Sequence, residues 1–246
     1  MRFIVDLPYG TLVSRTATIM SSLAIAFTFF PLDLAAAADC SASPMAGLNW
    51  SACTKHLIII PSSELEGANL HKTDFAGTDL SDSNLKSANL EEANLMRASL
   101  ADTNAEKANF KEVEAYRGNF SNISADGASF KNAELQRTNF SGAKLAGANF
   151  ERAELGRADF DQAVLTGSRF TLSNLSRADL SHATFEGPLI LSHAFMFRTR
   201  IEGLDLSAAQ GLVQAQIDLA CGDAKTKLPA GLEAPTNWPC PPDDPD

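Results

Sequence analysis

The sequence predicts an all-β solenoid in which the chain winds into a parallel β-helix. From Leu65 to Ile190 every fifth position is a candidate core residue, and Leu or Phe fills 22 of these 26 positions. A small residue (Ala, Ser, Thr or Gly) lies two positions earlier in 23 of the 26 units. A period of five matches neither the helical repeat of about 3.6 residues nor the strand repeat of about two. A chain that turns a corner in every unit does match it, because alternate residues of a short extended segment point to the same side.

Four such units would close a quadrilateral coil of about 20 residues, and neighbouring coils would pair through parallel backbone hydrogen bonds about 4.8 Å apart. The 26 units would then form roughly 6.5 coils and a solenoid about 30 Å long. Residues about twenty positions apart would stack on the same wall of this solenoid. Each wall would therefore carry its own column of side chains.

Phenylalanines are predicted on two opposed walls of the interior. The first wall carries Leu70, Leu90, Phe110, Phe130, Phe150, Phe170 and Ile190, and the second carries Leu80, Leu100, Phe120, Phe140, Phe160 and Leu180. The smaller residues Ala105, Ala115 and Ala125 fall beside the first phenylalanines of these walls. We expect their small volumes to compensate for the large rings, because protein interiors are close-packed.

The repeat resembles that of the pentapeptide-repeat family, whose pattern is written A(D/N)LXX. The stretch SGAKLAGANFERAELGRADF (141–160) contains four units in succession. The resemblance covers residues 62–190, about half of the chain, in unbroken phase. It implies a right-handed quadrilateral parallel β-helix.

The first 38 residues are predicted to be a signal peptide. An apolar run over about residues 19–34 follows a basic amino end, and four alanines before Asp39 fit the small-residue cleavage pattern. The alternative is a membrane anchor, but the run is short for a bilayer span and has Pro31 and Asp33 near its end. Cleavage would leave no transmembrane span and would place the protein outside the cytoplasm of a bacterial cell, either in the periplasm or secreted.

The four cysteines are predicted to form two disulfides. Four cysteines allow three pairings, and the two local pairs Cys40–Cys53 and Cys221–Cys240 are favoured because each pair lies in its own terminal segment. Disulfides are expected in an oxidising compartment, which agrees with export. A zinc site is the alternative, but the chain has no CxxC spacing.

The chain is predicted to contain four parts. They are a signal peptide (1–38), a cysteine-containing cap (39–61), the repeat β-helix (62–190) and a C-terminal cap (191–246). The repeat is expected to decay after Gly187-Pro188, and a short helix is predicted from about Ala208 or Leu212 to Cys221. The proline-rich end would be held by Cys240. This cysteine-flanked tail resembles that of exported bacterial pentapeptide-repeat proteins.

The sequence contains none of the common catalytic motifs GxSxG, HExxH, GxxxxGK[ST] and GxGxxG. A regular solenoid also has a filled core rather than a deep pocket. We therefore expect no enzyme activity, no cofactor and no metal site.

The outer surface carries one notable pattern, a column of arginines twenty residues apart. Its members are Arg97, Arg117, Arg137, Arg157 and Arg177. The neighbouring column on the same wall holds Asp74, Asn94, Glu114, Glu134, Glu154 and Asn174. Two interpretations follow. The arginines either neutralise these acidic neighbours, in pairs worth little individually, or form an array of planar forks for an anionic polymer such as an acidic glycan or for lipid headgroups.

The formal net charge of −10 disfavours an overall basic nucleic-acid-binding protein. The favoured function is an exported, non-enzymatic scaffold or binding protein with a protein, glycan or envelope partner. The family resemblance implies an alternative, because some of its members are acidic rods that mimic DNA and bind topoisomerases. A secreted effector or toxin accessory is a third possibility. The sequence does not fix the oligomeric state.

Overall fold

A computed structural model of the chain describes residues 37–241. The predicted signal peptide falls outside this range apart from its last two residues. The described chain forms a parallel β-helix whose strands are so short that each contributes a single bridging residue. The one helix in this range, α1, spans Gln214–Ile217. Within residues 37–241 no helix has the length and apolar character needed to cross a bilayer.

Parallel bridges between residues 20 positions apart build the solenoid, as in Asn49↔Asn69 and Val164↔Thr184. Bridging residues recur every five positions, so four ladders run along the molecule. The ladder that starts at Asn49 joins nine residues and ends at Gln210. At about 4.8 Å per step this ladder is about 38 Å long.

The five-residue units of the regular region share one local structure, which the unit around Phe150 illustrates. Phe150 faces the interior, Arg152 adopts a φ of 58°, and the amide of Ala153 donates to the carbonyl of Phe150 over 3.0 Å. A positive φ at the third residue of a four-residue turn is typical of a type II turn. Asn149 precedes the turn, and its Oδ1 accepts a hydrogen bond of 3.0 Å from the amide of Glu151. This contact explains the Asn and Asp of the repeat, because their short side chains satisfy turn amides.

The two opposed phenylalanine walls are confirmed. On the first wall, Phe110, Phe130, Phe150 and Phe170 stack with centroid distances of 4.8–4.9 Å. The rings of the second wall lie edge-on to them, as in the pair Phe150–Phe160 at 6.0 Å and 89°. Ala105, Ala115 and Ala125 are completely buried beside these rings. Aromatic stacking along the axis and volume compensation around it therefore fill the core.

The solenoid begins earlier than the predicted boundary at residue 62. Asn49, Thr54 and Ile59 already bridge to the next coil. Trp50 is 1% exposed and takes the first inward position, where it contacts Phe75 at a centroid distance of 6.3 Å. The Lys55 Nζ lies 3.8 Å from the centre of the Trp50 indole and donates to the carbonyl of Cys40 over 2.8 Å. Because Trp and Lys replace Leu or Phe here, the repeat pattern does not reveal this coil.

The repeat also continues past Gly187-Pro188 instead of decaying. The bridge spacing changes from 20 to 21 residues between Val164↔Thr184 and Arg169↔Ile190. The extra residue lies in the connection that contains Pro188, which has no amide to donate. From there the inward positions shift by one, and Leu191, Met196, Ile201 and Leu206 are all at most 1% exposed. The prediction that Ile190 faces inward is therefore wrong, because Ile190 is the bridging residue between two buried leucines.

Helix α1 is shorter than predicted because the residues on both sides of it belong to ladders. Gln210 bridges to Ile190, and Cys221 bridges to Arg200. Gln216 anchors the helix, since its Nε2 donates to the carbonyls of Leu191 and Ala194 over 2.8 and 2.9 Å.

The final ladder rung joins Asp205 to Lys227. The Lys227 Nζ lies 2.8 Å from Asp205 Oδ2. Hydrogen bonds from Lys227 and then from Ser207 lower the pKa of Asp205 from 3.8 to about 2. The contact with Asp205 in turn raises the pKa of Lys227. Both groups are therefore charged at neutral pH.

Candidate functional site: the arginine wall

The arginine wall is the face of the solenoid whose ladder runs through Thr54, Asp74, Asn94, Glu114, Glu134, Glu154, Asn174 and Phe195. Its predicted arginines all occupy the third residue of a turn, where φ is 56–59°. The backbone amide of each arginine donates a hydrogen bond to a carbonyl of the next coil, as the amide of Arg157 does to the carbonyl of Ser176 over 2.9 Å. This bond fixes the backbone position of the arginine. The turn thus directs the five side chains outward in one column.

Arg198 is a sixth member of this column that the twenty-residue spacing does not predict. Its φ is 54°. The amide of Arg177 donates to the carbonyl of Phe197 over 2.8 Å, just as the amide of each earlier arginine donates to the carbonyl of the residue before the next arginine. The one-residue shift near Pro188 moves the arginine to a spacing of 21 residues. The signal was present in the sequence, since FMFR (195–198) aligns with NLSR (174–177) after that shift. Six arginines therefore extend over about 24 Å.

Charged columns on the other walls differ, because they pair opposite charges between adjacent coils. Lys72–Glu92 lie 3.2 Å apart, Lys86–Glu106 3.1 Å and Lys131–Glu151 3.1 Å, and each pair is separated by twenty residues. A column of one sign over six coils is thus not a general property of this surface.

The arginines differ in their surroundings along the column. Arg137, Arg157 and Arg177 are half-buried and take part in contacts within the chain. Arg97 and Arg117 are exposed, and no carboxylate of residues 37–241 lies within ion-pair distance of either. The Arg117 guanidinium instead lies 5.3 Å from the centre of the Tyr116 ring. Neutralisation by the acidic column therefore does not extend to the first two arginines.

Cysteine pairs lie at both ends of the solenoid. Cys40 and Cys53 are at disulfide distance with their Cα atoms 5.5 Å apart, and so are Cys221 and Cys240 with Cα atoms 5.3 Å apart. Beside the second pair, Trp238 packs against Gly222 and its Nε1 donates to the carbonyl of Ala220 over 2.7 Å. No group of His, Cys, Asp and Glu side chains in the described range could hold a metal ion.

A stacked solenoid with a one-sign column on its surface defines a class of repeat protein that presents extended flat walls. The sequence profile described as pentapeptide repeats matches residues 63–187 in overlapping segments. The chain belongs to the pentapeptide-repeat family.

Solved structures with the same fold include QnrB1, described as a plasmid-mediated fluoroquinolone resistance protein. Full-length QnrB1 is 18% identical, with a TM-score of 0.57 over 74% of this chain and 92% of that one. A trypsin-treated point variant of QnrB1 is also 18% identical, with a TM-score of 0.54 over 77% and 92%. HetL of the cyanobacterium Nostoc sp., a pentapeptide repeat protein involved in heterocyst differentiation regulation, is 22% identical, with a TM-score of 0.42 over 78% and 93%. No curated protein sequence matches the chain.

Proposed function

We propose that this protein is an exported, non-enzymatic binding protein whose quadrilateral rod recognises an acidic glycan along the arginine wall. The single observation that carries the proposal is the column of six arginines at one turn position of successive coils. Arginine offers a planar fork of donors that suits carboxylate and sulfate groups. A rigid column of such forks would engage several groups of one extended polymer.

The charge distribution supports binding at one wall rather than non-specific binding over the whole surface. The chain carries a formal net charge of −10, so its other surfaces would repel a polyanion. On the wall itself the first two arginines are exposed and lack an ion-pair partner among the described residues. A polyanion would therefore bind at this wall, aligned with the rod axis.

Two observations support export. The predicted signal peptide ends before Asp39, and both cysteine pairs lie at disulfide distance. Disulfides persist in oxidising compartments such as the periplasm and the cell exterior. An acidic glycan of the envelope or of the surroundings would be accessible there.

The test compares two triple variants that remove the same positive charge. Arg117→Gln, Arg137→Gln and Arg157→Gln together remove the centre of the column, whereas Lys107→Gln, Lys131→Gln and Arg152→Gln together remove three cations from other walls. Retention on immobilised polygalacturonate would be measured as the salt concentration needed for elution. We expect the column variant to elute at much lower salt than both the wild type and the control. Equal retention of the two variants would rule out the arginine wall as the binding face.

A second candidate is binding to a topoisomerase through DNA mimicry, which the acidic balance of the chain favours. The two candidates require different compartments. Intact mass after cell fractionation, with and without thiol reduction, separates them. An extracytoplasmic chain that starts at Asp39 with two disulfides supports the first, and a full-length reduced chain in the cytoplasm supports the second.

A further inference from the structure

A groove of about 500 Å³ lies on the arginine wall near its N-terminal end. Its lining comes from four successive coils, and Ala76 and Gly77 form its floor. Leu57 borders the groove on one side, and Met96 and Arg97 border it on the other, with Tyr116 beyond them. It is therefore a concave site on a wall of stacked turns.

The groove arises because one coil carries two small residues where its neighbours carry large ones. Ala76 occupies the turn position held by His56 before it and by Met96 and Tyr116 after it. Gly77 likewise lies between Leu57 and Arg97 in the arginine column. The Leu57 side chain lies against Gly77, since a Cβ atom added to Gly77 would be only 2.7 Å from Leu57 Cδ2.

The sides of the groove are apolar although they face solvent. Leu57 is 76% exposed, Met96 is 40% exposed and Tyr116 is 36% exposed. A single exposed apolar residue is common, but a cluster around a concave surface indicates a contact site. The side chains would lose water contact if an apolar group occupied the groove.

The cations at this groove determine what kind of apolar group fits. Arg97 lines it, and Arg117 lies over the Tyr116 ring at its edge. Asp74, at the other end, already accepts hydrogen bonds from His56 Nδ1 over 3.2 Å and from the amide of Ala76 over 3.1 Å. The Asp74 carboxylate is therefore already engaged by hydrogen bonds, and Arg97 is the charged group of the groove that is available to a ligand.

We propose that the groove binds a small amphipathic anion, with its apolar body between Leu57 and Met96 and its acidic group on Arg97. The groove volume lies within the range of about 300–1,000 Å³ that is typical of small-molecule sites. This ligand differs from the glycan proposed above, because a polysaccharide has no extended apolar body. The site does not depend on export or on the arginines beyond Arg117.

Methionine methyl groups provide a direct readout. The protein labelled with ¹³C at its methionine methyls would be titrated with monomeric dodecanoate and, separately, with neutral dodecanol. We expect the Met96 signal to shift with dodecanoate, while the signals of the fully buried Met196 and of Met45, which lies outside the groove, stay in place. A dodecanoate titration that leaves Met96 unmoved overturns the proposal, and so does equal affinity for dodecanol.

Three variants test the two halves of the site. Arg97→Gln should weaken dodecanoate binding by at least about tenfold, because it removes a charge-assisted hydrogen bond. Ala76→Tyr should fill the groove and weaken binding similarly, and a tyrosine is already accommodated at the same turn position in Tyr116. Arg152→Gln is the matched control, because Arg152 has the same left-handed backbone (φ 58°) but lies on another wall. Equal weakening by the control contradicts the proposal.

The two proposals can fail separately. Ala76→Tyr keeps all six arginines, so its retention on polygalacturonate should equal that of the wild type. Loss of dodecanoate binding with unchanged retention supports two distinct sites. Thermal melting of each variant verifies that it is folded, and the comparison of dodecanoate with dodecanol on the wild type tests the site if a variant does not fold.

Discussion

At the scale of single residues, the third turn position dominates this structure. Twenty-two residues other than glycine in the described range adopt a φ of 54–60°, and most of them occupy this position. The group includes charged, amide and leucine side chains, but none of these described residues is branched at Cβ. A left-handed conformation costs an L-residue about 1–2 kcal/mol, and branching at Cβ adds crowding. The stacked turn hydrogen bonds on both sides hold these residues in place.

The conformational preference of this position can be measured at Lys107, which is exposed and has a φ of 57°. Lys107→Gly should be neutral or stabilising, and Lys107→Val should lower the free energy of unfolding by about 1–2 kcal/mol. Ser121→Val is the control, because Ser121 lies one position earlier in its turn, before the left-handed Asn122. Chemical denaturation gives the three values. A Lys107→Val variant as stable as the control would contradict the argument.

At the scale of the repeat unit, the hydroxyl groups at the small inward position add contacts between coils. Thr138 Oγ1 donates to the carbonyl of Ala115 over 2.9 Å, and Ser168 Oγ donates to that of Leu145 over 2.8 Å. Both side chains are completely buried. Ser and Thr therefore substitute for Ala by linking each coil to the previous one, which satisfies their polar groups.

The packing of these units leaves no room for a further aromatic ring beside the phenylalanine walls. Ala115→Phe should lower the melting temperature markedly, because overpacking a dense core typically costs about 1–3 kcal/mol. Leu135→Phe, which adds less volume one coil later on the same wall, should cost less. Calorimetric melting of both variants tests this order. If Ala115→Phe melts at the wild-type temperature, volume compensation does not govern the packing of the core.

At the scale of the whole molecule, the two ends close the solenoid in different ways. At the first coil Lys55 covers the indole of Trp50 next to the Cys40–Cys53 pair. The last coils are covered by helix α1 and by the tail that carries Trp238 and Cys240. Coverage is needed because a solenoid end exposes apolar residues and unpaired backbone groups.

Separate tryptophans at the two ends allow each cap to be observed. Replacement of Cys221 and Cys240 by Ser should release the tail and shift the emission of Trp238 to longer wavelength, while Trp50 stays buried. Loss of the cross-link should also lower stability by about 2–4 kcal/mol. Fluorescence of this variant in Trp50→Phe and Trp238→Phe backgrounds assigns the shift. An unchanged Trp238 spectrum would show that the tail is held without the disulfide.

The period of the repeat predicted the interior well, since each inward residue of the regular region must be apolar whatever its neighbours are. The same periodicity could not reveal the shift near Pro188, because Ile190 is apolar and satisfies the unshifted pattern. Arg198 was missed for that reason. The groove over Ala76 and Gly77 was also invisible, because it depends on the sizes of residues about twenty positions apart on both sides.

The extra residue near Pro188 shows how this architecture responds to changes in chain length. One inserted residue is absorbed in a turn, and the core and the arginine column continue beyond it. An insertion of a complete twenty-residue coil would only lengthen the molecule by one level. An insertion of five residues would also preserve the core, yet it would rotate every later side chain by a quarter turn and divide the arginines between two adjacent faces. Insertion length therefore controls the surface of the rod independently of its stability.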